Sequence, residues 1–199
     1  MVSRAEHRRA TLRRLGDAAV ELFDTVGPGV TIDRIAERAG VSRRTVFRYV
    51  ELKEELAYVH PILWFDIFDE VIAANAALPA ADRLRVGGRA LASHIDADPG
   101  PPYQAFLTAA TNPELAKGFT SIFQRWVDRI ADEVLVGIDA PSPDQRFRSR
   151  VVGAAVMGTI DAVSREWLLG GGADEFLALL ERGFEILDPL LDGLDRLDG

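Results

Sequence analysis

Arg44 and Arg48 stand four residues apart in the stretch VSRRTVFRYV, and Val46 and Val50 share that spacing. In an α-helix, residues four apart lie about 40° apart around the axis, so the valines occupy one face and the arginines the opposite one. With the valines inward, Arg44, Thr45 and Arg48 point outward, flanked by Arg43, Phe47 and Tyr49. Guanidinium groups on a short helix with an apolar back suit a helix that enters a DNA major groove. The same spacing also fits a helical hairpin whose arginines merely keep its outer side solvated.

The residues before this helix must position it. Thr31 is expected to cap a first short helix, with Asp33 in the first turn favoured by the helix dipole. Ile32, Ile35, Ala36 and Ala39 fall on one face of that helix. Gly40 can take the left-handed conformation that ends it, Val41 tucks back, and Ser42 caps the next helix. Two short helices joined by a glycine turn are a helix-turn-helix.

Charge supports a divided molecule. The 199 residues carry a net charge of −8, yet residues 1–53 hold 11 Lys and Arg against 7 Asp and Glu, while the remainder holds 12 against 24. A basic head on an acidic body is expected if only the head meets phosphates, because binding follows the local field. Five arginines within residues 4–14 crowd a helix N-terminus, where the dipole disfavours cations. A nearby phosphate backbone would explain them, and so would a basic tail with no role. The absence of cysteine removes disulfides, thiolate nucleophiles and most structural zinc sites. No secretory h-region and no membrane-length apolar run is present, so a cytoplasmic location without membrane partners is the expectation.

Along the chain, helical periodicity predicts a first helix over about 7–26, the helix-turn-helix, and a longer helix from Lys53 with a kink or break near 57–60 caused by Pro61. Further helices are expected at about 80–97, 102–110, 113–136, 143–169 and 174–191, with no sheet. The fold class is therefore all-α: a helix-turn-helix domain over 1–53 and a helical bundle over 54–199. The last two helices carry Val152, Ala155, Thr159 and Val163, then Phe176, Leu180, Phe184 and Leu187. These suggest a four-helix interface with a second copy, or else a cap on the monomer's own core.

Trp64, Phe68, Tyr103, Phe106, Phe123 and Trp126, with His94, are candidates to line a pocket between bundle helices, although aromatics at helical spacing also make plain core. Asp66, Asp69 and Glu70 lack a Glu-x-x-His partner and read as a solvated face, and the three histidines show no ligand spacing, so no metal site is expected. Gly170–Gly172 lacks a lysine and a preceding strand, and reads as a turn.

IAERAGVSRRTVFRYVELKE, with the preceding AVELFDTVGPGVTI, resembles the DNA-binding signature of the tetracycline-repressor-like (TetR) family of bacterial transcription regulators. The resemblance rests on Ile35, Ala36, Ala39, Gly40, Val41, Ser42, Thr45, Val46, Phe47, Tyr49 and Lys53 within about the first 55 residues. It implies an all-helical homodimer: three N-terminal helices bind operator DNA, and the rest enclose a small-molecule effector site and dimerise through the last two helices. The implied DNA contacts are Thr31, Ser42, Arg43, Arg44, Thr45, Phe47, Arg48, Tyr49 and Lys53, with Arg44 and Arg48 candidates either to read guanine or only to hold phosphates. Phe47 stands where tyrosine is usual, and Val50, Glu51 and Leu52 replace the usual turn into the fourth helix. The patterns DADPGPPYQAFLTAATNPEL and SREWLLGGG are similar to a subgroup with acyl-CoA-like ligands. A ligand-released repressor is thus expected, with no catalytic residue and no cofactor. The alternative is a helical enzyme or carrier for a small apolar molecule, which would need a nucleophile, metal set or acid and base pair.

Overall fold

The computed structural model describes residues 4–193, and among them it is all helix with no strand. Contacts divide the chain into two compact units: the residues up to Phe65 with Gly100–Ile122, and Asp66–Pro99 with the residues from Phe123 onward.

The first unit begins with α1 (Arg4–Val26), which buries Leu12, Leu15, Ala19, Leu22 and Phe23. Val26, at the end of the helix, is exposed, and Gly27 after it takes a positive φ. In α2 (Ile32–Arg38) the Thr31 hydroxyl accepts the Arg34 N–H, as its type and position predict. Gly40, with φ +67°, then closes the helix: its N–H donates to the Glu37 carbonyl and the Val41 N–H to the Ala36 carbonyl. That double bond pattern is the Schellman stop. Ser42 accepts the Thr45 N–H at 3.1 Å and opens α3 (Arg43–Phe47).

A 3-10 turn over Lys53–Tyr58 precedes α4 (Val59–Ala74). Pro61 therefore occupies the first turn of α4, where its missing N–H has no intrahelical acceptor, and the expected break falls just before it. Two further helices join this unit, α6 (Gly100–Thr111) and the start of α7 (Ala116–Val134). At Gly118 an added Cβ would lie 2.3 Å from the Glu54 carbonyl carbon, so α7 rests directly on the backbone of the 3-10 turn. Beside it the buried Glu55 carboxylate accepts the Ser121 hydroxyl at 2.6 Å and the Glu51 N–H at 3.1 Å. Tyr58 packs against Phe119 with ring centroids 5.6 Å apart, and burial pushes its phenol up to about 12. A domain boundary after Lys53 is corrected by these contacts: the 3-10 turn and part of α4 belong with the head. Residues 194–199 of the expected second domain lie outside the described residues.

The second unit is built around α5 (Ala80–Ala97), α8 (Pro143–Leu169) and α9 (Phe176–Leu191). Val152, Val163, Phe176, Leu180, Phe184 and Leu187 are all buried within the single chain. Ala155 and Thr159 are half-buried, the Thr159 methyl lying where a Cβ on Gly183 would meet it at 2.7 Å. Six of the eight are thus covered within the chain itself, while Ala155 and Thr159 stay partly exposed. Two helices with apolar residues on more than one side cover each other first, because intrachain burial needs no association entropy.

The turn between α8 and α9 runs through Gly171 and Gly172, both at positive φ. Trp167 donates from its indole to the Asp174 carbonyl at 3.1 Å. The first N–H groups of α9 are not capped locally: Asp96, at the end of α5, accepts from Phe176 at 2.6 Å and Leu177 at 3.0 Å. An ion-pair chain, buried at Arg83 and Glu133 and reaching solvent at Asp69, completes the unit. Arg83 donates to Glu133 at 2.6 Å, while Arg129 donates to Glu133 at 3.1 Å and Asp69 at 2.7 Å. Asp69 is thus a structural partner as well as a solvated group. No described helix is long and apolar enough to cross a membrane.

Candidate nucleic-acid interface

Val46 and Val50 are buried beneath α3, with Ile35 and Ala36 buried on α2, which leaves the opposite side of α3 to solvent. Ser42, Arg44, Thr45, Phe47 and Arg48 line one groove of about 350 Å³ there. Five of the nine expected contact residues are thus brought together. The α-helical hydrogen bonding of α3 ends at Phe47, and Arg48 and Tyr49 continue it as a turn in which the Tyr49 N–H donates to the Val46 carbonyl.

The arginines differ in how they are held. Arg43 pairs with Asp33 at 3.1 Å, both groups being well exposed, and its guanidinium lies 5.5 Å from the centroid of the Phe47 ring. Arg48 lies 4.7 Å from the centroid of the Tyr49 ring and donates to its hydroxyl at 2.7 Å. Arg44 makes no hydrogen bond or ion pair with a described residue and is exposed. Its five N–H donors are therefore uncommitted, the state a group needs in order to bind a new acceptor without losing an old one. Ser42 and Thr45 share a hydroxyl contact of 2.9 Å at the mouth of the groove.

Two expected contact residues sit elsewhere. Thr31 stands at the start of α2, its oxygen occupied as a cap acceptor and its O–H still able to donate. Lys53 turns to the chain itself, donating to the Pro28 carbonyl at 2.5 Å and the Val30 carbonyl at 3.0 Å. It holds the α1–α2 turn with two of its three donors.

Sequence reasoning missed the partners that fix this head. Asp33 sets Arg43 from ten residues away, and Glu21 on α1 holds Arg38 on α2 through two bonds of 3.2 and 2.6 Å. No spacing rule couples residues on different helices. The Arg34 guanidinium is also exposed on α2 with no partner among the described residues, as are those of Arg13 and Arg14 on α1.

The candidate pocket residues fall in both units. Trp64, Tyr103 and Phe106 belong to the first, where the Trp64 and Phe106 ring centroids are 5.9 Å apart and the buried Trp64 indole N–H has no acceptor among the described residues. Phe68, Phe123 and Trp126 belong to the second, with Phe68 edge-on to Trp126 at 5.4 Å. His94 is exposed on the outer side of α5, which removes it from an enclosed set. No group of three or more His, Cys, Asp or Glu residues placed to hold a metal occurs among the described residues.

Residues 15–57 match the family model for bacterial regulatory proteins of the tetR family. The chain is 30% identical over 199 residues to the HTH-type transcriptional regulator TcmR of Streptomyces glaucescens, covering 92% of this chain and 85% of that one. It is also similar, at 26% identity over 202 residues and 98% of each chain, to the putative mycofactocin biosynthesis transcriptional regulator MftR of Mycobacterium tuberculosis. Two solved structures share the fold. The fatty acid degradation regulator FadR from Bacillus halodurans aligns with a TM-score of 0.51 at 18% identity, covering 94% of this chain and 98% of that one. The transcriptional repressor FadR from Thermus thermophilus, in complex with lauroyl-CoA, aligns with a TM-score of 0.52 at 22% identity, covering 88% and 92%.

Proposed function

The chain belongs to the TetR family of bacterial regulatory proteins and is a DNA-binding transcriptional regulator, and from that premise we propose that it is a homodimeric repressor released from its operator by a small apolar or acyl-CoA-like ligand. The observation that carries the reading is the groove of α3, lined by uncommitted Arg44 with Ser42, Thr45, Phe47 and Arg48. In the dimer the two α3 helices occupy major-groove half-sites about 34 Å apart, or a multiple of it. Arg44 reads a base edge; Arg43, Arg48, Tyr49 and Thr31 hold phosphates, and Lys53 keeps the turn that aims α2 and α3.

The ligand acts by binding more tightly to the conformer in which that spacing is lost, and its leverage equals this difference in affinity. Support for an acyl-CoA-like effector is the fold shared with a FadR that was solved with lauroyl-CoA. An electrophoretic shift with free protein and DNA flanking its gene tests this. A specific, salt-sensitive complex dissolved by lauroyl-CoA is expected; no specific complex sinks the repressor reading, and a complex indifferent to lauroyl-CoA removes the acyl-CoA part alone.

Dimerisation uses the outer faces of the last two helices. On α8 the exposed Phe147, Val151, Ala154, Gly158, Ala162 and Leu169 follow one another at spacings of three, four and seven, and on α9 Ile186 is 84% exposed beside Leu190. An apolar stripe at this spacing suits a four-helix interface. Val151→Glu combined with Ile186→Glu is expected to give folded monomers in sedimentation velocity. Leu180→Ala, by contrast, should cost about 2–5 kcal/mol of fold stability. A dimer that survives the double glutamate variant would require another interface.

A further inference from the structure

We propose that Phe47 is a specificity-determining residue that reads the C5-methyl group of a thymine next to the base pair held by Arg44, so that each operator half-site carries a thymine there. The inference rests on the DNA-reading role of α3 given above.

Phe47 is 46% exposed, and the core does not need it: Val46 and Val50 beside it fill the inner face. A phenyl ring has no hydrogen-bonding atom and cannot hold phosphate. It nevertheless lines the same groove as Arg44, Thr45 and Arg48. An exposed ring in solvent contributes nothing by itself, whereas in a major groove it meets an apolar group at only one kind of base, because thymine alone carries a methyl on its edge.

Orientation also favours a built contact. The Arg43 guanidinium lies 5.5 Å from the ring centroid and is itself tied to Asp33 at 3.1 Å. One side of the ring is thus braced while its remaining surface stays in the groove. Arg44 and Phe47 are three residues apart on α3, hence about 5–6 Å apart at Cβ. Successive bases along a strand are about 3.4 Å apart, so the methyl lies one or two base pairs from the guanine that Arg44 contacts.

The test starts with full-length protein and an operator selected from random duplex DNA, in which each thymine of the half-site is replaced in turn by uracil. Uracil keeps the pairing and removes only the methyl. At one position near the guanine, wild-type affinity is expected to fall about fourfold per half-site and about fifteenfold with both replaced, the scale of one unburied methyl. Phe47→Ala should bind thymine and uracil duplexes equally, and Phe47→Leu should keep part of the preference. Circular dichroism should show both variants folded, since the position is exposed. Wild-type protein indifferent to uracil at every position, or Phe47→Ala retaining the thymine preference, overturns the proposal alone. Failure to select any specific DNA overturns the DNA-reading premise and the proposal together.

Discussion

Arg44→Ala is expected to lower the affinity of the dimer for its operator by about 2–6 kcal/mol, because a bidentate contact to guanine is worth roughly 1–3 kcal/mol and each of two half-sites loses one. The loss should be large because no described residue of the free protein competes for this side chain. Arg43 must share its guanidinium with Asp33, and Arg48 shares its own with the Tyr49 hydroxyl. Arg44 has no such partner among the described residues, so its full donor capacity goes to the operator. Arg44→Lys should recover little, since an ammonium cannot reproduce the planar fork. Arg48→Ala should act differently, weakening specific and non-specific DNA together and reducing the salt slope by about two, one for each half-site. Fluorescence anisotropy on operator and scrambled duplexes over a salt series separates the two behaviours. If Arg44→Ala weakens both duplexes alike, Arg44 holds phosphate and the base reader lies elsewhere.

Glu133→Ala is expected to cost about 3–5 kcal/mol of fold stability, the scale for removing one partner of a buried ion pair. Arg83 and Glu133 are both buried, and the Arg83 guanidinium also donates to the Leu78 carbonyl at 2.6 Å and the Glu133 carbonyl at 3.3 Å. Without the carboxylate, a cation remains inside with only carbonyls around it, and Arg129 loses one of its two acidic partners. A loss of that size consumes much of the roughly 5–15 kcal/mol that holds a domain folded. Thermal denaturation followed by circular dichroism should show a sharply lowered midpoint. Arg83→Met combined with Glu133→Leu removes both charges and should be less destabilised than Glu133→Ala alone. If the double variant is the less stable of the two, the ion pair contributes more than its own desolvation costs, and the argument fails.

The caps of the helix-turn-helix were legible in the sequence because each acts over three to five residues. Thr31 reaches Arg34, Ser42 reaches Thr45, and Gly40 sets a turn that closes on Ala36 and Glu37. Residue type and spacing specify such contacts before any packing exists. The burial of Val46 and Val50, and the outward Arg44 and Arg48, followed from the same local geometry. Pro61 likewise announced a discontinuity, and the chain answers it with a 3-10 turn ahead of α4.

What the sequence could not specify were contacts whose partners are far apart along the chain. Asp96 caps α9 from 80 residues away, Glu55 takes the Ser121 hydroxyl, and Lys53 spends its ammonium on carbonyls 23 and 25 residues earlier. Each depends on which helices become neighbours. The outer faces of α8 and α9 pose the same problem: both helices carry apolar residues on more than one side, and periodicity does not say which side the chain covers itself. Helix boundaries, caps and the arginine face are thus properties of short segments, fixed by backbone sterics and hydrogen bonding over a turn or two. The partners of Lys53 and Arg43, and the burial of Phe176, Leu180 and Phe184, were decided only by tertiary packing, because burial is a property of the whole arrangement of helices.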